Sequence, residues 1–229
     1  MKTAGHAILF SEMTPPTASV SEFHAWYDTE HIPIRMRSPG FVSAQRYRLL
    51  DAPSYLAVYE LEAKGALDTE AYRKIKTQPS DLTARMLGEV TGFTRYTCEQ
   101  IGEAWGGNFD ATTGLEAPVL YAVWFDVPQE RQEEFDAWYE QDHVPTLLEC
   151  ADWRGARRFS VASGEPRTFT RLALHYIETP GALDSPERAK ARASPWRAKL
   201  AEESWFKGAY TVFAKHGARQ LATGQREFE

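Results

Sequence analysis

The nine residues AWYDTEHIP, 25–33, return as AWYEQDHVP at 137–145. Self-similarity at a fixed offset marks a repeated structural unit, so this phrase limits the folds open to the chain more than any other feature. His31 and His143 stand 112 residues apart, as do Phe23 and Phe135, Trp26 and Trp138, Pro33 and Pro145, and Arg46 and Arg158. The register runs without a gap from Ile8/Leu120 to Tyr47/Phe159. A four-residue insertion then moves it to 116, aligning LAVYELE (56–62) with LALHYIE (172–178), the two GALD tetrapeptides, and Pro79 with Pro195. The match covers nearly the whole chain and reads as a tandem duplication.

Each half carries the same predicted order of elements. An apolar strand (HAILFSE, VLYAVWFD) precedes an amphipathic helix (SVSEFHAWYDTEHIP, QEEFDAWYEQDHVP), and the proline after His31 or His143 marks its expected end. A second strand, a turn (DAPS, SGEP) and a third strand follow, then a polar helix and a short last strand (FTRYTCE, AYTVFAK). The order βαββαβ is the ferredoxin-like unit, which places the chain in the α+β class. Residues 1–102 form the N-terminal repeat, 103–117 a linker rich in turn signals, and 118–229 the C-terminal repeat.

The first strand of the second half is apolar on both faces, with Tyr121, Val123 and Phe125 on one and Leu120, Ala122 and Trp124 on the other. Helices cover only one face of a ferredoxin-like sheet, so the other needs cover too. Two such sheets in one chain can bury their bare faces against each other as an intrachain α+β barrel, replacing the homodimer that a single copy would need.

W-Y-x-x-x-H-[IV]-P on the first helix, followed by an A-x-R-[YF] strand, resembles the dimeric α+β barrel superfamily. Within it the sequence is most similar to EthD-like proteins, here as a tandem fusion. The resemblance implies a pocket between sheet and helices in each half, with His31 or His143 at its wall. It says little about the reaction, because this superfamily hosts isomerases, cyclases, decarboxylases, monooxygenases and haem proteins.

Composition narrows the partners. The 229 residues are 43% apolar and 25% charged, which is ordinary globular material. Net charge is −6 with no basic run, which argues against nucleic acid. The two cysteines, Cys98 and Cys150, lie in no metal-binding or disulfide spacing, so a reducing cytoplasm is expected. The N-terminal apolar stretch is too short for a signal peptide, and no 18-residue apolar span exists, so no membrane is expected either. Nucleotide-binding glycine loops and a GxSxG elbow are absent. A homodimer of the whole chain is compatible with the sequence.

His31 and His143 are the candidate catalytic groups. At a helix C-terminus the dipole favours imidazolium, and Asp28, Glu30, Glu140 and Asp142 stand one and three positions before them, so proton transfer near neutrality is expected. The plainer reading is that each histidine only caps the last carbonyls. Tyr27 and Tyr139, one turn earlier, are the second catalytic candidates, able to bond the histidine or a substrate. Arg46 and Arg158 in mid-strand read equally as ion-pair partners for the helix acids or as substrate-anion anchors. Tyr59, its counterpart His175, and Trp124 complete the substrate-binding candidates. Phe23, Phe135, Trp26 and Trp138 read as core. The carboxylate-x-x-His spacing of Asp28/His31 and Glu140/His143 suits di-iron sites, but the further carboxylates those need are missing, so no metal is expected.

The expected function is cofactor-independent proton-transfer chemistry (isomerisation, cyclisation, dehydration or decarboxylation) on a small aromatic or polyketide-like carbonyl compound or carboxylic acid, a lyase or isomerase with histidine as general acid/base. A haem-binding barrel protein with a single axial histidine and a non-catalytic binder of small apolar ligands are the alternatives. The inequality of Tyr59 and His175 makes the two pockets chemically distinct, with the C-terminal one favoured.

Overall fold

The computed structural model describes residues 2–223. In chain order the elements are β1 (Ala7–Thr14), α1 (Val20–Trp26), α2 (Ile32–Met36), β2 (Phe41–Leu49), β3 (Tyr55–Leu61), α3 (Glu70–Thr77), α4 (Asp81–Glu89) and β4 (Thr91–Trp105). There follow α5 (Ala111–Gly114), β5 (Val119–Phe125), α6 (Gln132–Trp138), α7 (Val144–Leu147), β6 (Trp153–Glu165), β7 (Arg171–Ile177), α8 (Pro186–Arg192), α9 (Pro195–Ala201) and β8 (Ala209–Leu221). The class is α+β, and the eight antiparallel strands are hydrogen-bonded in the closed order β1-β3-β2-β8-β5-β7-β6-β4.

The chain divides into two compact units, one of residues 1–99 and 216–229, the other Gln100–Lys215. In the N-terminal unit β1 lies between β3 and β4, with Leu9 opposite Tyr59 on one side and Thr97 on the other. In the C-terminal unit β5 lies between β7 and β8, with Tyr121 opposite His175 and Val212. Both units break register at the same place, between Phe41 and Ser43 on β2 and between Trp153 and Gly155 on β6. Such a bulge re-aims the side chains beside it, and Phe41 and Trp153 are the residues re-aimed.

The last strand of each half is long, not short: β4 has 15 residues and β8 has 13. β4 runs past the expected end of the repeat at residue 102 into the expected linker, to Trp105, with Gly102 inside it. A Cβ there would lie 2.4 Å from Nη2 of Arg158, so this glycine marks a close approach and not a chain reversal. Past β4, Asp110 caps the short α5 by accepting from the amides of Thr112 and Thr113.

Apolar side chains facing the helices make one core per unit. Leu9, Met13, Phe23, Trp26, Tyr27, Ile32 and Met36 belong to the first. Tyr121, Val123, Phe125, Phe135, Trp138 and Tyr139 belong to the second. Full burial of each such group contributes roughly 1.5–3 kcal/mol. The other strand faces are covered as well, since Ile8, Phe10, Leu120, Ala122 and Trp124 are all buried. Among the described residues no helix is long and apolar enough to cross a membrane.

The four polar helices start alike. Thr69, Ser80, Ser185 and Ser194 each accept a bond from the amide three residues on, those of Tyr72, Thr83, Arg188 and Arg197. The caps correct one detail of the sequence alignment. Pro79 precedes its cap whereas Pro195 follows its own, so Ser80 corresponds to Ser194 and the register slips by two residues at this turn.

Candidate functional site

Neither His31 nor His143 ends a helix. Between α1 and α2 the chain makes a single π-helical turn, Tyr27–His31, and Tyr139–His143 does the same between α6 and α7. Pro33 and Pro145 explain the widening. Proline has no N–H for the carbonyl four residues back and its ring crowds that carbonyl, so the preceding turn opens to a five-residue step. The amide of Ile32 then reaches Tyr27 O and that of Val144 reaches Tyr139 O. The helix continues with proline in its next first turn, so the expected termination and its dipole do not apply. Instead the wide turn stacks residues five apart. His31 lies 4.2 Å from Trp26 and His143 lies 4.7 Å from Trp138, between ring centroids.

The acids nearby also serve other partners. Asp28 takes a 3.0 Å ion pair from Arg46, and Glu140 a 2.7 Å pair from Arg158. Glu30 accepts from Thr83 at 2.6 Å and from Ser80, and Asp142 accepts from Ser194 at 2.5 Å. No carboxylate therefore supports the imidazoles, and burial dominates. His31 is pushed well below the usual histidine range by desolvation, then by Arg35 and Arg46. His143 is pushed down to about 3 by desolvation, then by Arg197, Arg188 and Arg192, with a backbone bond to Ala191 opposing. Both are neutral at physiological pH, which replaces the expectation of a group titrating near 7.

In the N-terminal unit His31 is 4% exposed and closed in. Trp26 donates its indole N–H to Thr83 Oγ1 at 2.9 Å, and buried Tyr72 packs 5.4 Å from Phe41. Arg46 is buried, bonded to His24 Nδ1 at 2.7 Å as well as to Asp28, and lies 4.5 Å over the Tyr27 ring. The Tyr27 hydroxyl points to Met13 Sδ at 3.8 Å.

The C-terminal unit differs at the positions that matter. Arg188 and Arg197 take the helical positions of Tyr72 and Thr83. Neither reaches Trp138, whose buried indole N–H has no partner among the described residues. A cavity of about 160 Å³ results, walled by aromatic rings including Tyr121, Trp138, Tyr139 and Trp153, with His143 and three arginines, Arg188, Arg192 and Arg197. Among the described residues no acidic side chain lines it. His143 Nδ1 is likewise buried and unpartnered.

Behind Tyr139 stands His175, fully buried and held neutral by desolvation. The Trp153 indole donates to its Nδ1 at 3.2 Å, and its Nε2 lies 2.9 Å from the Tyr139 hydroxyl. An indole only donates, so Nδ1 carries no proton and Nε2 carries it. Nε2–H therefore donates to Tyr139 Oη, which leaves the phenol's own hydrogen to donate elsewhere. Burial raises the Tyr139 pKa, so the phenol stays a donor.

Of the sequence candidates, His143 and Tyr139 meet at one cavity, with ring centroids 5.0 Å apart. Tyr139 and Arg158 also border a second cleft of only about 10 Å³. His175 does not line the cavity but orients a residue that does. Tyr59 is buried beside the Arg35 guanidinium, 5.7 Å from its ring, and Trp124 stacks on Phe169 at 5.4 Å, off the cavity wall. Sequence reasoning missed Trp153 and the three arginines. The available signal was Phe41 against Trp153 in the repeat, a change from a ring without a donor to one with it.

No sequence model of a protein family matches the chain, and no curated protein matches it. Solved structures do match in fold. An anthrone oxidase-like protein superposes with TM-score 0.67 at 13% identity, covering 96% of this chain and 94% of its own. A candidate monooxygenase of Fusobacterium nucleatum gives 0.60 at 9% identity, covering 96% of each chain. A mutant chlorite dismutase of Candidatus Nitrospira defluvii gives 0.58 at 9%, covering 94% and 92%. The chain thus shares an α+β fold that carries enzymes of several kinds.

Proposed function

We propose that the protein is an enzyme that moves a proton on a small aromatic or polyketide-like carbonyl compound, and that the C-terminal unit holds its site. The observation that carries this is a cavity where a neutral imidazole, His143, with its Nδ1 unpartnered among the described residues, meets a phenol, Tyr139, whose hydrogen is freed by the Trp153–His175 pair. His143, unprotonated at neutral pH, is the group placed to take a proton from an acidic carbon or phenol, and its basicity, held down by burial and the three arginines, rises when a bound or developing anion offsets their charge. Tyr139 donates to the oxygen where charge develops, and the arginines stabilise the resulting enolate or phenolate. An engineered cavity of about 150 Å³ accepts benzene, so the 160 Å³ here suits one aromatic ring and is too small for a porphyrin. This speaks against the haem alternative. Reprotonation at another carbon, ring closure, or expulsion of a β-hydroxyl as water consumes the enolate, while loss of carbon dioxide from a β-keto acid forms the same enolate for protonation, and these outcomes give the isomerase or lyase reading. We also read the two βαββαβ halves as products of one duplication, EthD-like in kinship.

A second reading, oxygenation, draws on the fold likeness to the anthrone oxidase-like protein and the candidate monooxygenase. It starts with the same deprotonation, and its balance is an activated CH2 plus O2 giving C=O plus H2O.

Deuterium wash-in tests the shared first step. A panel of aromatic ketones, phenols and β-keto acids is incubated with the protein in D2O and followed by mass spectrometry, with dissolved oxygen recorded in parallel. Exchange without oxygen uptake supports the lyase or isomerase reading, and stoichiometric uptake supports oxygenation. A panel that shows neither would leave a ligand binder.

A further inference from the structure

The three arginines need a reason. Arg188 and Arg192 lie one helical turn apart on α8, and Arg197 lies in the first turn of α9. All three line the same cavity. Their bonding is to carbonyl oxygens: Arg188 Nη1 donates to Leu183 O at 2.5 Å, and Arg197 Nη1 donates to Arg192 O at 3.1 Å. Among the described residues none of the three forms an ion pair, whereas Arg131, Arg154, Arg158 and Arg171 of the same unit do. Like charges gathered without a counter-ion repel, and the half-buried Arg188 and Arg197, beside partly apolar walls, are screened less than the exposed Arg192. The field is felt at two groups. Arg197 is lowered by burial and then by Arg192 and Arg188, and all three arginines depress His143. A second, independent feature is the Trp138 indole N–H, on a side chain 2% exposed, which lines the cavity and has no acceptor. A buried donor without a partner costs free energy that an acceptor from a ligand would recover.

We propose that Arg188, Arg192 and Arg197 form a carboxylate-binding subsite of this cavity, so that the molecule it takes is an aromatic carboxylate whose ring packs on Trp138 and Phe206. Guanidinium groups match a carboxylate in geometry and charge, and they do so best where water is scarce. The wall chemistry fits the other end of such a ligand. Phe206 lies 5.3 Å from Trp138, and Tyr121 lies 6.5 Å from Trp153, centroid to centroid. Tyr210, 65% exposed, stands at the rim. The assignment moves anion binding away from Arg46 and Arg158, which are already paired with Asp28 and Glu140. It deepens the proton-transfer reading by naming a substrate class, but its test needs no turnover.

Benzoate and its neutral isostere benzamide are titrated into the full-length protein, with binding read by calorimetry and by intrinsic tryptophan fluorescence, to which Trp138 and Trp153 on the cavity wall contribute. Benzoate is expected to bind at least about ten-fold more tightly than benzamide, the equivalent of one charge-assisted contact. Arg192→Gln, at an exposed position and so compatible with folding, should remove about that preference by weakening benzoate far more than benzamide. Arg197→Gln should do the same, with circular dichroism confirming the fold. Equal affinity for the two ligands, or a benzoate preference that survives both substitutions, overturns the subsite. Arginine-dependent benzoate binding in a protein that exchanges no substrate proton upholds the subsite and defeats the enzyme reading. Proton exchange confined to neutral ketones does the reverse.

Discussion

The Tyr139 hydroxyl lies 2.9 Å from Nε2 of His175, and the other imidazole nitrogen takes the Trp153 indole N–H at 3.2 Å. The three residues come from the π turn, β7 and β6, so sheet register and helix widening together fix one chain of donors. Trp153 sits beside the β6 bulge, and the corresponding Phe41 in the N-terminal unit can donate nothing. The direction of the chain is set at its far end, by a group that cannot accept.

That direction is testable. Trp153→Phe keeps a buried ring but frees His175 Nδ1, so the imidazole can take its other tautomer and accept from Tyr139. Nitrogen-15 shifts of His175 should then report Nδ1–H in place of Nε2–H. Turnover should fall about five- to ten-fold in kcat with KM little changed, the rate equivalent of about 1 kcal/mol. An unaltered tautomer in the variant would show that Trp153 does not set it.

How much of this was open to a reader of the sequence depends on where the repeat is strict. From Ile8/Leu120 to Tyr47/Phe159 the two halves align without gaps, and there the strands, the amphipathic helix and the core rings follow from period and spacing. Trp26, Trp138, Phe23 and Phe135 are in the core as expected. The pairing of Arg46 with Asp28 was one of the two readings their positions allowed. What was not legible came from two sources. A proline after a helix reads as a stop, whereas here it widens a turn and carries the histidine into a buried stack. The arginines lie where the halves have drifted: Arg188 falls opposite Tyr72 in the 116-residue register, but Arg197 against Thr83 emerges only once the caps are aligned past the slip at Pro79 and Pro195.

Trp105 gives a stability test outside the site. A Cβ on Gly155 would fall 2.2 Å from Trp105 Cε3 and 2.8 Å from the Ala104 carbonyl oxygen, where neither ring nor backbone can yield cheaply. Gly155→Ala should cost about 1–3 kcal/mol in denaturant unfolding, as overpacking does. Gly65→Ala is the control. Nothing lies within 4 Å of its Cβ, so it should be neutral or slightly stabilising. Equal effects at the two glycines would contradict the Trp105 packing.

Stability should fall with acid well before the carboxylates titrate. His31, His143 and His175 are held below their unfolded value near 6.5 in the native state, and His24 and His216 are shifted the same way. Groups whose folded pKa is depressed contribute stability that is present above the unfolded pKa. It is lost as pH falls from there toward the folded value, because the unfolded chain takes the protons. Below pH 6.5 each buried histidine should remove stability with a slope approaching about 1.4 kcal/mol per pH unit. Urea midpoints at pH 7.5, 6.0 and 5.0 should decline in step, and His175→Gln should make the decline shallower. A midpoint constant from pH 7.5 to 5.0 would mean that these imidazoles are not buried neutral.

The repeated histidine supplies the sharpest comparison, because each copy can be changed in the same molecule. His143 lines a cavity and His31, 4% exposed, does not. Nδ1 of each histidine is buried without a partner among the described residues, but Trp26 is tied to Thr83 whereas the Trp138 indole N–H has no acceptor there. His143→Gln should therefore keep the fold and remove general-base assistance, a loss of about 10²–10⁴-fold in kcat for deuterium exchange with KM largely preserved. His31→Gln should leave exchange by the folded protein within a few-fold of the parent. Its cost should appear in stability, about 1 kcal/mol or somewhat more, since an amide must then be accommodated among Trp26, Tyr27 and Arg35. Because His143 lines a cavity and His31 does not, 4-methylimidazole should restore exchange to His143→Gly and not to His31→Gly. Equal and small rate effects from both substitutions and from the double variant would reduce the histidines to a packing signature of the wide turn. A larger effect at His31 would move the chemistry to the N-terminal unit and leave the arginine-lined cavity without a base.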